Sequence, residues 1–402
     1  MLNNYKRYFY LEKIKKYLWN IELIKVLIGQ RRVGKSYIMK QLVDFLIEEK
    51  KVEKENIIYI NFEIDYLKYK NVSELDKYIK KLQNNNFKRI YLFFDEIQEL
   101  EGWERLINAY RADTNFDCDI FITGSNANLL SSDLSTYLAW RYISFEIYPF
   151  SYKEYLWYFN KNNTKENLLT YTSSTWLWEL YKLKDEELRF DFLKGLKDSI
   201  ILKDIVKKYR LKDISLLEKL FDFIAWNIWN LFSTNSIVKK LKNLWIKTNA
   251  VTIGNYLEYL EKAYLIHSVS RFDLQWKRIL EWEKKFFLTD LSFNNFFFSS
   301  YDFWKGKHLE NLVFLQLKRL GYKVYVWNTK NLEIDFIAEK GTEKLYIQVA
   351  YLINSEEVLK REFWNLLEID DNFEKIVLSL DDTTQDYKWV KHFQIWEYLW
   401  IK

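Results

Sequence analysis

Cysteine and histidine are nearly absent from this chain. A single cysteine, Cys118, excludes an internal disulfide, and three scattered histidines, His267, His308 and His392, give no metal-ligand spacing. No run of about 18 apolar residues is present to span a membrane as a helix. The opening MLNNYKRYFYLEKIKKYLWN alternates lysine with aromatics where a secretory leader would carry an apolar stretch. These absences predict a soluble, cytoplasmic protein with no membrane partner. Glycine is also scarce, 9 residues against 17 tryptophans, and no linker rich in Gly, Pro or Ser separates one part from another.

What is present reads as globular and modular. Apolar residues are 49% and charged residues 29% of the chain, enough to build cores. At about 100 to 200 residues per domain, the 402 residues divide into several modules. A net charge of +5 permits contact with nucleic acid without requiring it. LIKVLI (23–28), IIYINF (57–62), RIYLFF (89–94), DIFIT (119–123) and ISFEIY (143–148) read as strands, with amphipathic helices such as YIMKQLVDFLIEE (37–49) between them. That alternation predicts an α/β fold with a parallel sheet. From about 151 to 265 the periodicity is helical, and beyond about 310 a shorter α/β pattern returns. The expected divisions are 1–150, 151–215, 216–275 and 276–402.

LIGQRRVGKS carries the strongest motif. Gly29, four residues, then Gly34-Lys35-Ser36 between a strand and a helix is the P-loop spacing. Glycines let backbone N–H groups curl around phosphates, the helix N-terminus adds positive potential, Lys35 reaches the outer phosphates and Ser36 ligates Mg²⁺. The expected ATP-binding set is Gly29, Gln30, Arg31, Arg32, Val33, Gly34, Lys35, Ser36 and Tyr37. Downstream, YLFFDE ends an apolar strand in two carboxylates, so Asp95 is expected to hold Mg²⁺ through water and Glu96 to activate the attacking water. FITGSN ends another strand, which makes Ser125 and Asn126 candidates to sense the γ-phosphate. An ordinary turn is the competing reading for that pair.

In the middle of the chain, Ser233 can cap a helix carrying Ile237, Leu241 and Leu244, and a second helix buries Ile253, Leu257, Leu260 and Tyr264. Two short helices, a tight turn and a following strand pair suggest a winged helix-turn-helix. Its exposed face would present Thr252, Asn255, Tyr256 and Tyr259 to double-stranded DNA, with Lys239, Lys240, Lys242 and Lys247 near phosphates. Contact with a protein partner is the equal alternative.

Taken together, KVLIGQRRVGKS, LFFDEIQELEGWERLI, FITGSNANLLSSDLSTYLAWRYISFEIYPFSYKEYL and LLEKLFDFIAWNIWNLFSTNSIVKKL resemble the prokaryotic AAA+-related ATPases that carry a C-terminal domain of unknown function. The resemblance implies an additional-strand P-loop ATPase core followed by helical and nuclease-like modules. It also implies a role for Arg141, in AWRY, as a cis or trans arginine on the γ-phosphate, with a salt bridge inside the fold as the alternative. The last module resembles PD-(D/E)xK nucleases: Glu310 and Asp335 match, but Gln348 stands where an acid belongs and Ala350 where a lysine belongs. A degenerate nuclease fold used for binding or assembly is therefore expected. The function that follows is a Mg²⁺-dependent ATPase switch, with an ATP-regulated DNA-processing nuclease or a slow, nucleotide-bound assembly scaffold as alternatives. An oligomer is compatible with each.

The resemblance also bears on the tryptophans. Trp245 falls in the turn between the two middle helices, Trp140 precedes Arg141, and Trp229, Trp276, Trp282, Trp304 and Trp364 stand where relatives often have glycine. One reading is an aromatic-rich sequence, in keeping with 30 Tyr and 29 Phe. The other is that many of these are glycines, decoded from UGA and written as tryptophan.

Overall fold

The computed structural model describes every residue except 1–4, 66, 67, 70, 85–88, 114, 131–140, 175, 176, 229, 274–277, 298–300, 329–332 and 402. Packing divides the chain into two compact units, residues 1–147 with 262–264 and residues 148–261 with 265–402.

The first unit is built on β1 (Ile24–Ile28), β2 (Ile57–Asn61), β3 (Ile90–Asp95), β4 (Cys118–Gly124) and β5 (Tyr142–Glu146), paired in the order β2-β3-β4-β1-β5. Every pairing is parallel. Helices α1 (Tyr8–Lys15), α2 (Lys35–Glu48), α3 (Val72–Asn84) and α4 (Trp103–Ala112) accompany it. β1, β3 and β4 are buried along their whole length, as unbroken apolar runs in a covered parallel sheet should be. β4 comes late in the chain yet lies between β1 and β3, which is the additional-strand arrangement of P-loop NTPases. The consequence is local: the C-terminal ends of β1, β3 and β4 share one edge, where ligands of parallel α/β sheets bind.

The second unit is helical from Tyr152–Phe159 through Ala250–Lys262 and then forms a mixed sheet. Its strands are β6 (Leu231–Phe232), β7 (Ile266–Asp273), β8 (Arg278–Leu288), β9 (Lys323–Asn328), β10 (Glu333–Lys340), β11 (Glu343–Val349), β12 (Glu374–Ser379) and β13 (Val390–Gln394), in the order β13-β12-β11-β10-β9-β7-β8-β6. Residue 275, the expected end of the winged helix, lies outside the described residues. Ser233 caps the helix Thr234–Asn243: its hydroxyl accepts the Ser236 N–H at 3.2 Å while the Ser236 hydroxyl accepts the Ser233 N–H at 3.1 Å, the reciprocal pattern of a capping box.

The helix Ala250–Lys262 corrects part of the expected reading face. Tyr256 is buried and its hydroxyl donates to the Asp213 carbonyl at 3.3 Å, and Tyr259 stacks on Tyr209 with ring centroids 3.8 Å apart. The reason is the helical period: Tyr256 lies three residues after Ile253 and four before Leu260, which puts it on the apolar stripe. Asn255 remains exposed, Thr252 is half-buried, and Lys239, Lys240, Lys242 and Lys247 are all exposed.

Candidate nucleotide-binding site

β1 ends at Ile28 and the chain turns through residues 29–34 into α2. Gly29 and Gly34 take φ of 143° and 96°, and a side chain on Gly29 would run into the Ile147 carbonyl. Only glycine permits that approach. Arg32 is left-handed too, with φ 70°. Backbone turned this way can aim successive N–H groups into an anion-binding concavity, and the first turn of α2 adds its own free donors.

Lys35 opens α2 and is buried. Its ammonium donates to the carbonyls of Gly29 and Gln30 at 2.9 and 3.0 Å and stands 3.6 Å from the Glu96 carboxylate. Burying a cation is costly unless oxygens surround it, and these three supply them. Beside it, Gln30 is fully buried with neither amide atom hydrogen-bonded. A buried amide with no partner calls for a ligand or a water. Ser36 is half-buried in the first helical turn. Arg31 pairs with Glu63 at 2.6 Å, and the Tyr37 hydroxyl donates to the Tyr5 carbonyl at 2.8 Å. The Val33 carbonyl accepts from Arg7 at 2.7 Å, so the N-terminal segment braces the loop from behind.

Asp95 and Glu96 follow at the end of β3. One Asp95 oxygen accepts the Thr123 hydroxyl at 2.6 Å, and the other accepts Tyr59 and Asn61, each at 2.9 Å. With both oxygens engaged, Asp95 suits a metal held through water better than one bound directly. Among the described residues no group of three His, Cys, Asp or Glu is placed to hold a metal. A divalent ion here would draw further ligands from phosphate oxygens and water, as Mg²⁺ in such sites does. Ser36, Asp95 and the partnerless Gln30 amide fit an ATP–Mg²⁺ complex on those terms.

Glu96 has left-handed backbone, φ 53°, and its carboxylate accepts the Gln98 amide at 2.6 Å. Burial alone would raise its pKa, but Lys35, the Gln98 hydrogen bond, Arg31 and the Ser125 hydroxyl outweigh burial and hold the group below the usual glutamate value. Ser125 thus meets Glu96, and Asn126 is buried next to it in the chain.

Arg141 lies apart from the rest of the expected set. It is exposed and precedes β5, its carbonyl accepting the Ile24 N–H at 3.0 Å. Ile24 begins β1, whereas the P-loop follows its last residue, Ile28. At about 3.3 Å per residue the length of β1 separates their backbones by roughly 15 Å, which sets Arg141 apart from the P-loop of its own chain.

Several residues of the site escaped sequence reasoning. Thr123, Tyr59, Asn61, Gln98 and Arg7 have no motif of their own. Thr123 is the one with a findable signal, since it stands one residue before the glycine that ends β4 and one rung beyond the Phe94–Ile122 pair.

Comparison with known proteins gives the following similarities. Residues 22–156 match the AAA domain family, and residues 179–299 and 305–398 match two domains of unknown function, DUF8612 and DUF4143. An uncharacterized protein of Haemophilus influenzae is 35% identical over 374 residues, spanning 92% of this chain and 92% of that protein. The chain belongs to that protein's family. An uncharacterized protein of Methanocaldococcus jannaschii is 34% identical over 351 residues, spanning 82% of this chain and 75% of its own length. Among solved structures, the Walker-type ATPase paby2304 of Pyrococcus abyssi is similar with 18% identity and a TM-score of 0.48, covering 73% of this chain and 95% of that one.

Because Lys35 is the cation of the loop that is already desolvated, Lys35→Ala should weaken ATP binding by about 10- to 100-fold, the worth of a hydrogen bond to a charged group. Equilibrium titration with a fluorescent ATP analogue reads this, and parental affinity in the variant would refute the assignment.

Proposed function

We propose that this AAA-domain protein binds and hydrolyses ATP with Mg²⁺ and uses its nucleotide state to control what the C-terminal unit engages. One observation carries the reading: the β1–α2 loop, the end of β3 and the end of β4 bring Lys35, Glu96 and Ser125 into contact beside the buried Asp95. On binding, Lys35 exchanges the Gly29 and Gln30 carbonyls for phosphate oxygens, which carry more charge, while the loop N–H groups hold the inner phosphates. Ser36 and Asp95 would hold Mg²⁺, which would supply charge neutralisation across the phosphates. Glu96, kept ionised by its neighbours, accepts a proton from the attacking water. Ser125 and Asn126, next to it, are the groups through which the presence of the γ-phosphate reaches β4.

Arg141 acts, in this reading, only from a neighbouring copy, which makes an oligomer the active form. The four exposed lysines beside two helices joined by a tight turn support a winged helix that contacts the phosphates of duplex DNA; a protein partner is the alternative the salt dependence below distinguishes. An ATP-regulated nuclease draws no support from Gln348 and Ala350, which provide neither a third acid nor a lysine.

Glu96→Gln keeps the shape of the side chain but cannot take a proton. Turnover should fall by about 10²-fold or more while ATP binding persists, measured by phosphate release alongside nucleotide titration; undiminished turnover removes Glu96 as the base, and a parent with no turnover at all points to the scaffold. For the C-terminal unit, replacing Lys239, Lys240 and Lys242 by Gln should weaken DNA binding and flatten the slope of log K against log salt by up to about 3 if each meets one phosphate. An unchanged slope reassigns this surface to protein contact.

A further inference from the structure

The C-terminal unit holds a second cluster of buried charge, made entirely from its own elements. Lys285 of β8, Glu310 on the helix Tyr301–Arg319 and Asp335 of β10 are all within 5% of complete burial. The Lys285 ammonium donates to one Glu310 oxygen at 2.7 Å and stands 3.6 Å from Asp335. The other Glu310 oxygen accepts Lys307 at 3.0 Å, and the second Asp335 oxygen accepts the Val349 N–H at 2.9 Å. Gln348 is buried and its carbonyl oxygen accepts the Asp335 N–H at 3.3 Å. Glu310 and Asp335 are the two acids through which this module resembles a nuclease that binds Mg²⁺. Here two lysines already stand among the two acids: Lys285 and Lys307 outweigh burial and hold Glu310 below its usual value, while burial and the neighbouring Glu310 push Asp335 up to about 8. Mg²⁺ demands oxygens at about 2.1 Å, and it could reach these two carboxylates only if the ammonium between them left.

We propose that Lys285 is a built-in cation that occupies the place of a divalent metal, so that the acids of the C-terminal unit form a fixed charge clasp across β8, the helix and β10 instead of a nuclease centre. Burial alone would strip the Lys285 proton, but Glu310 and Asp335 outweigh it and keep the ammonium charged. The loss of an acid at Gln348 is then secondary: restoring it would not restore a metal.

Mn²⁺ binding by the full chain without nucleotide, followed by the free-ion spin resonance signal, tests this. The parent and Asp335→Asn should take up the same number of ions. Gln348→Glu, which completes three acids with Lys285 in place, should gain none, whereas Lys285→Met combined with Gln348→Glu should gain one. An Asp335-dependent ion in the parent, or an extra ion in Gln348→Glu alone, overturns the proposal. So does a folded double variant that gains none. If the double variant does not fold, the parent and the two single variants decide the matter by themselves.

A different observation carries a second inference. The helix Thr234–Asn243 ends with the Trp245 N–H donating to the Lys242 carbonyl at 2.9 Å and the Ile246 N–H to the Leu241 carbonyl at 3.0 Å. This pair of bonds is the Schellman ending, whose left-handed residue is ordinarily glycine. Trp245 occupies it with φ 61° and is 96% exposed, so no packing of the indole offsets the clash of its Cβ. Trp19 is left-handed as well, φ 71°. Trp364 is 49% exposed; Trp140, Trp229 and Trp276 lie outside the described residues, as do the side chains of Trp282 and Trp304. We infer that residue 245 is glycine in the native protein, read from a UGA codon that the written sequence renders as tryptophan. Peptide mass mapping of protein isolated from its own cells decides it. Glycine at 245 is the expected result, and tryptophan there ends the idea.

Discussion

The register of three parallel strands decides what the N-terminal unit can do. Ile28 of β1 stands opposite Gly124 of β4, and Phe94 of β3 opposite Ile122, so three chains leave the sheet at one level. A slip of β4 by a single residue would turn Thr123 to the other face and leave Asp95 without the hydroxyl that satisfies it. A buried carboxylate short of a donor costs about 1 to 3 kcal/mol or more, which ties the register to the burial of this acid. The grip of Lys35 and the placement of Glu96 both follow from that alignment.

The same sheet carries buried charge at its opposite end, and the contrast is instructive. Lys25 on β1 pairs with Asp119 on β4, both fully buried, and Asp119 also accepts the Trp19 N–H while Lys25 donates to the Asn20 carbonyl. Burial drives the Lys25 pKa down and the Asp119 pKa up, each toward its neutral form. At the P-loop end Glu96 is held ionised, and Gln30 and the Gln98 carbonyl oxygen have no hydrogen-bond partner. One pair is closed upon itself; the other stands beside polar atoms left unsatisfied.

The strands of the first unit were legible in the sequence because covered parallel strands are unbroken apolar runs, and the P-loop because its glycines and lysine are fixed by spacing along one segment. The place of Arg141 was not legible, since position after a sensor strand says nothing about which end of the neighbouring strand a residue will meet. Tyr256 and Tyr259 were placed on a solvent face because aromatic residues suit either side of a helix until its neighbours are known. Lys285 was invisible for a related reason: a lysine in a strand looks like a solvated charge, and only folding shows two acids, 25 and 50 positions downstream, closing around it.

That closure crosses a line drawn by sequence similarity. Lys285 falls within the segment matched by one domain of unknown function, residues 179–299, while Glu310 and Asp335 fall within the other, residues 305–398. The strands do the same, since β7 and β8 of the first segment share a sheet with β9 to β13 of the second. Either segment alone would strand a buried lysine or a pair of buried acids without their counter-charge. The boundary between the two matched segments is therefore not a boundary of folding: a piece of chain cut there would carry half of a buried charge cluster and half of a sheet.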